Sequence, residues 1–287
     1  MKIDQSPSNA IQNMIEESFP LKIMRENDSV FSYRESGSIL SPTICLLHGI
    51  GSASGSWIYQ LQGLSENYHI IAWDAPGYGK SSNINTEEPE PSDYARALNN
   101  FIKNRTQCLK VLIGHSLGAL IAGAYVAQRD VIDKILVLAD PANGYGASDP
   151  HIRSQILEKR LANMRKLGPE GLANARSTAL LSESSSSDAK GIVHYNMKKL
   201  NIKGHNQAAH MLAKGDLKGT LDRFHGSTLI LCGSEDTITP ETKCKEIADI
   251  IPNAEYRTLY GAGHASYIEK PNQFNNVILD FVGNSDA

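Results

Sequence analysis

Residues 111 to 120 read VLIGHSLGAL, which sets Ser116 between Gly114 and Gly118 directly after an aliphatic run. A serine placed there can act as a nucleophile toward an electrophilic carbon, provided that a base takes its proton. The flanking residues supply the shape this needs. VLIG reads as the end of a buried strand and GALIAGAYVAQR as a helix, and a strand turning directly into a helix forces its central residue into a strained backbone conformation. The positions two before and two after then lie against neighbouring chain, where only small side chains fit, and the two glycines meet that demand. The Ser116 hydroxyl is left projecting above the carboxyl end of a sheet, at a helix N-terminus.

The expected base is His264 in YGAGHASY, a small-residue loop after the last expected strand. His115 adjoins the nucleophile and is expected to point elsewhere; His48 belongs to another loop, and His151, His194, His205, His210 and His225 fall in or beside a helical segment. The imidazole needs a carboxylate that fixes its tautomer and stabilises the cation it becomes. Asp236 in LILCGSEDTITP, one glycine beyond the seventh expected strand, takes this part ahead of Asp140 in VLADPAN, with Glu235 as its solvated neighbour. Attack on a carbonyl creates an oxyanion that must be met by N–H groups already in place. Leu117 at the helix N-terminus supplies one, and Ile50 in LLHGIGSASGSW supplies the second, with Gly51 next.

These side chains meet only if their loops share one end of a sheet. Apolar, β-branched runs recur at 21–27, 29–36, 43–49, 69–75, 110–116, 134–140, 227–233 and 254–260, with helical segments between most of them. That alternation predicts a mainly parallel sheet covered on both faces. The first two runs, joined by Asn27-Asp28, predict an antiparallel hairpin at one edge. Between Asp140 and Ser227 the strand pattern stops, and HIRSQILEKRLANMRKLG and NQAAHMLAKGDLKGTLDRF have helical spacing around the polar loop SESSSSD, predicting a helical insertion. Near the N-terminus Ile11, Met14, Ile15, Ser18 and Phe19 share a helical face, which packs on the body or on a second copy, so a homodimer is one arrangement it allows.

Composition narrows the function classes. The formal charge of -3 with scattered lysines and arginines gives no basic field for nucleic acid, and no apolar run approaches the roughly 20 residues of a membrane-spanning helix. The expected partner is a small-molecule substrate. The first twenty residues lack the apolar core of a secretory signal, which predicts a cytoplasmic protein. Cys45, Cys108, Cys232 and Cys244 show neither CxxC spacing nor a histidine arrangement for zinc, so no disulfide and no metal are expected, and no cofactor.

On these motifs the sequence resembles the α/β-hydrolase superfamily from about residue 21 to about 282. His48-Gly49 with Ile50, WDAPGYGKS at 73–81, Ser116 in GHSLG, Asp236 after LILCG and His264 in GAGH carry the resemblance, in the order Ser, Asp, His. It implies an α/β-hydrolase fold: an eight-stranded, mostly parallel sheet flanked by helices, with core at 1–141 and 223–287 and a helical cap at 142–222 inserted after the sixth strand. Within the superfamily the pattern is similar to bacterial ring-cleavage-product hydrolases, enol-lactonases and small carboxylesterases. The activity implied is serine hydrolysis of a small or medium-sized ester, lactone or ring-cleavage enol-ketone. Haloalkane dehalogenases carry aspartate where this chain has Ser116, which sets that branch and the epoxide hydrolases aside. Gly51, Trp57, Pro141, Met164, Met211 and Tyr267 are expected to line a mostly apolar substrate pocket with Ile50 and Leu117. The alternatives are a cofactor-free oxygenase, lyase or perhydrolase on the same scaffold, or a slow-turnover ligand sensor.

Overall fold

Each of the eight apolar runs carries one strand, β5 alone beginning a residue before its run: β1 Lys22–Glu26, β2 Ser29–Ser36, β3 Thr43–Leu47, β4 His69–Trp73, β5 Leu109–His115, β6 Ile135–Ala139, β7 Thr228–Gly233 and β8 Glu255–Leu259. The computed structural model describes residues 7–128, 134–252 and 254–285. The strands form one sheet in the order β1-β2-β4-β3-β5-β6-β7-β8. β2 runs antiparallel to both of its neighbours, and the remaining pairs are parallel. Asn27 turns the β1–β2 hairpin in a left-handed conformation, φ 51°. β3, β4, β6 and β7 are buried at every residue, as parallel strands covered on both faces must be.

The helices are α1 Pro7–Ser18, α2 Ile58–Gly63, α3 Pro91–Arg105, α4 Leu117–Ala127, α5 Pro150–Arg176, α6 Ser187–Met197, α7 Ile202–Lys214, α8 Leu217–Leu221, α9 Glu241–Ala248, α10 Ser266–Glu269 and α11 Pro271–Ser285. Between β6 and β7 the regular elements among the described residues are all helical, with α5 to α8 joined by loops. Gly168, at φ 62°, followed by Pro169, kinks α5, since proline removes a helical N–H and crowds the preceding turn. α8 lies on the core: a Cβ on Gly123 of α4 would stand 2.6 Å from Leu217 Cδ1. Among the described residues no helix is long and apolar enough to cross a membrane.

The apolar face of α1 is covered by α6 of the same chain, where Ile11 packs against Gly191 and Ile15 is fully buried. Arg34 of β2 binds this helix from below, donating to the carbonyls of Ile15 and Phe19 and pairing with Glu16 at 3.0 Å. Glu16 also accepts from Tyr195 Oη at 2.6 Å and Lys199 Nζ at 3.2 Å. α1 thus straps the core sheet to α6.

α4 is built for close approach. A Cβ on Gly118 would stand 2.3 Å from the Leu47 carbonyl oxygen, and one on Gly114 2.5 Å from the Gly118 carbonyl oxygen. Because these neighbours are backbone, Gly118→Ala must push α4 off β3. It is expected to cost about 3 kcal/mol of stability in urea unfolding. Burial works against the charge on Glu16, but hydrogen bonds from Tyr195, Arg34 and Lys199 outweigh it and hold its pKa at about 2 against an ordinary 4.5. The stability this provides is present above the unfolded value and is lost as pH falls toward 2. Glu16→Gln should therefore flatten the acid limb of the stability curve across that window; wild-type and variant curves that stay parallel there would contradict the assignment.

Candidate active site

Ser116 joins β5 to α4 at φ 52°, ψ -113°, a region closed to most side chains and costing about 1–3 kcal/mol. The surrounding backbone holds it there. Ser116 N donates to Ala139 O at 3.0 Å, and Ser116 O accepts from Ala119 N at 3.1 Å and Ala142 N at 3.2 Å.

The chain between β8 and α10 brings His264 over the same sheet end. His264 Nε2 lies 2.9 Å from Ser116 Oγ, and Nδ1 lies 2.8 Å from Asp236 Oδ2. With the serine hydroxyl donating to Nε2, the ring proton sits on Nδ1 and is donated to the carboxylate. The loop is fixed by Glu235 N donating to Ala262 O at 2.8 Å, Gly263 N to Glu269 Oε2 at 2.7 Å and Ala265 N to Leu180 O at 2.9 Å. His115, expected to point elsewhere, also takes part: its Nε2 donates to the His264 carbonyl at 2.8 Å. Burial first, then the neighbouring His264, pushes the His115 pKa down to about 3, so this ring is a neutral donor at physiological pH. Its partner is 149 residues away, and no local signal announces it.

The two rival carboxylates have different surroundings. Asp236 Oδ1 accepts from Ile238 N at 2.7 Å and Thr239 N at 3.0 Å, and Oδ2 accepts from Thr239 Oγ1 at 2.7 Å as well as from His264. Burial favours its neutral form, but the bonds from His264 and Thr239 outweigh burial and lower the pKa. Thr239 was not singled out from the sequence, although D-x-x-T is the spacing of a side chain bonding the turn that follows it. Asp140 instead accepts from Gly233 N at 2.8 Å and Ser266 Oγ at 2.5 Å. Full burial, then the charge on Asp236, raises its pKa well above the usual carboxylate range. Glu235 is exposed. Asp140, Cys232 and Asp236 bring ligand-type atoms within 4.8 Å of one another, but both carboxylates are committed to these bonds.

The loop after β3 is held on both sides of Ile50. His48 Nδ1 donates to Gly49 O at 2.8 Å while its Nε2 accepts from Ala75 N at 3.1 Å, and Tyr78 Oη donates to Ile50 O at 2.9 Å. In a trans peptide, anchoring the Gly49 carbonyl turns the Ile50 N–H the opposite way. Leu117 opens α4, where first-turn N–H groups have no helical acceptor.

Ser116 and His264 open into a cavity of about 780 Å³ whose wall includes Ile50, Gly51, Leu117, Pro141 and Tyr267. Trp57, Met164 and Met211 are not on that wall. All three are fully buried, Trp57 stacking on Tyr267 with ring centroids 4.0 Å apart. The methionine that reaches the site is Met197 of α6, whose Cε would stand 3.0 Å from a Cβ on Gly51. α5 turns Ile156, Lys159, Arg160 and Asn163 to the cavity. Their i, i+3, i+4, i+7 spacing marks a helix face, but sequence reading looks for such faces among apolar residues and passes over a polar one.

The alpha/beta hydrolase fold family matches residues 42–271. The RutD protein of Stutzerimonas stutzeri (strain A1501), named as a carbamate hydrolase, is 26% identical over 257 residues, covering 84% of this chain and 91% of its own. An esterase from Thermogutta terrifontis, solved with malate bound, superposes with a TM-score of 0.78 at 21% identity, over 92% of this chain and 98% of its own. The enol-lactonase of Burkholderia xenovorans LB400 superposes with a TM-score of 0.80 at 19% identity, over 91% of this chain and all of its own. Fold and family agree: the chain belongs to the alpha/beta hydrolase fold family.

The environments of the two acids make opposite predictions. Asp236→Asn removes the acceptor that fixes the His264 tautomer and should lower turnover of an activated ester by on the order of 10³-fold or more. Asp140→Asn still accepts from Gly233 N–H and offers its amide to Ser266 Oγ, so activity should stay within about threefold. Steady-state assays on both variants decide which acid serves the imidazole.

Proposed function

We propose that the chain is a cofactor-independent serine hydrolase acting on a small or medium-sized carboxylic ester, lactone or ring-cleavage enol-ketone. One observation carries this reading: the continuous hydrogen-bonded line from Asp236 through His264 to Ser116, at 2.8 and 2.9 Å. Ser116 Oγ attacks the carbonyl carbon as its proton passes to His264 Nε2, and the carbonyl electron pair moves onto oxygen, facing the N–H groups of Leu117 and Ile50. Collapse of this intermediate breaks the bond to the leaving group, which takes the proton from His264. A water molecule then gives its proton to His264 and its oxygen to the acyl carbon, and Ser116 departs with the returned proton. Asp236 stays ionised throughout, stabilising the imidazolium.

Esters, lactones and enol-ketones share this attack and differ in the atom that leaves. The carbamate named for RutD belongs to the same carbonyl class. A bare carbamate ion, no larger than acetate, would leave most of a 780 Å³ cavity unfilled, which favours a larger substrate here. Oxygenase, lyase or perhydrolase chemistry would use the His264–Asp236 pair without acylating Ser116, and a sensor would retain its product.

Ser116→Ala should lower kcat/KM on p-nitrophenyl acetate by on the order of 10³-fold or more with an unchanged circular dichroism spectrum. An organophosphorus reagent should add its mass to the peptide carrying Ser116 in step with loss of turnover. Full activity in the alanine variant would overturn the role given to the serine.

A further inference from the structure

We infer that Arg160 forms an anion-binding subsite in the cavity, so that the preferred substrate carries a carboxylate in addition to its scissile carbonyl. This rests on the hydrolase reading above and specifies its substrate class.

The argument begins with charge. The cavity wall carries Lys159, Arg160, Arg176, Lys218 and Lys243 against one acid, Glu246. Glu246 is already engaged, by Lys218 at 3.2 Å and Lys243 at 2.7 Å. Lys159 and Arg176 are exposed, where water serves them. Arg160 differs from both, because it is half-buried, its Nε is fully buried, and that Nε has no hydrogen-bond partner. Among the described residues no carboxylate pairs with its guanidinium. A guanidinium does not lose its proton in a protein, so it cannot relieve its burial by becoming neutral. A buried donor on a charged group left without an acceptor is among the more expensive omissions a fold can carry.

Location gives the omission a purpose. The charge on Arg160 acts on the Tyr78 phenol and on the His205 ring. Tyr78 holds the Ile50 carbonyl at 2.9 Å, so Arg160 stands on the side of the cavity where the oxyanion loop lies. His205 of α7 lines the same cavity, is buried, and has an Nδ1 without a partner. Arg160 and His205 both line this one cavity, where a guanidinium beside a neutral imidazole offers a carboxylate a charge and donors in a forked geometry. Asn163, one helical turn from Arg160 on the cavity face of α5, adds an amide. An apolar ester would leave the charge on Arg160 without a counter-ion; a hemi-ester or a carboxylated lactone would not.

The probes are monomethyl glutarate and its neutral isostere, the methyl ester of glutaramic acid, with acid release followed by pH-stat. In the wild type the charged ester should be preferred. In Arg160→Gln the ratio of kcat/KM for the charged over the neutral ester should fall by on the order of tenfold or more, with Arg160→Lys recovering part of it. An unchanged ratio overturns the subsite, as does an equal loss on both esters, which would mark Arg160 as structural. Calorimetric titration of Ser116→Ala with glutarate and with glutaramide tests the subsite without turnover, and equal affinity for the two also overturns it. If the wild type hydrolyses neither these esters nor p-nitrophenyl acetate while glutarate still binds selectively, the hydrolase reading falls and the subsite stands.

Discussion

Everything at this site depends on how closely backbone approaches backbone around Ser116. A Cβ at Gly118 would stand 2.3 Å from the Leu47 carbonyl and one at Gly114 2.5 Å from the Gly118 carbonyl, so β3, β5 and α4 sit as near as chains without side chains can. Only in that packing does the turn hold Ser116 at φ 52° with its hydroxyl above the sheet. The same approach puts the Leu117 end of α4 beside the loop that carries Ile50. Strain at one residue is sustained by the buried strands on either side, whose ladder bonds run up to Ser116 and Asp140.

Two carboxylates occupy this end of the sheet, and surroundings separate them. Asp236 receives four hydrogen bonds, one from His264, and these hold it ionised against its burial. Asp140 receives two and is buried beside that charge, which drives it toward its neutral form. Two negative charges in so small a dry volume would repel strongly, so ionisation of one disfavours ionisation of the other. Chemical identity is shared; the bond inventory assigns the roles.

Above this rim the helices between β6 and β7 supply much of the cavity wall. Val193 and Met197 of α6 give the cavity an apolar side, whereas Lys159, Arg160 and Asn163 of α5 give it a polar and basic one. α1, held by Arg34 and Glu16 against α6, ties these helices to the sheet from outside. On the proposed function the chemistry belongs to loops at the strand ends and the selectivity to a separate helical layer, a division that lets one scaffold serve many substrates.

The sequence by itself determined the fold and which of its side chains meet at the Ser116 end of the sheet. Strand runs, the Asn27-Asp28 turn and GHSLG are local patterns: burial on two faces, a left-handed turn and a glycine-flanked turn each leave their mark within a few neighbouring residues. Ser116, Asp236 and His264 were legible for a like reason: Ser116 sits directly at a strand end between glycines, and the other two follow strands through small-residue loops. Only the tertiary structure decided the rest. It showed His115 donating to a carbonyl 149 residues away, Thr239 bracing Asp236, and Trp57, Met164 and Met211 turned into the core while Met197 and Arg160 face the cavity. A helix's period shows that a face exists; which face meets the cavity is set by how that helix packs on its neighbours, and its own residues do not record it.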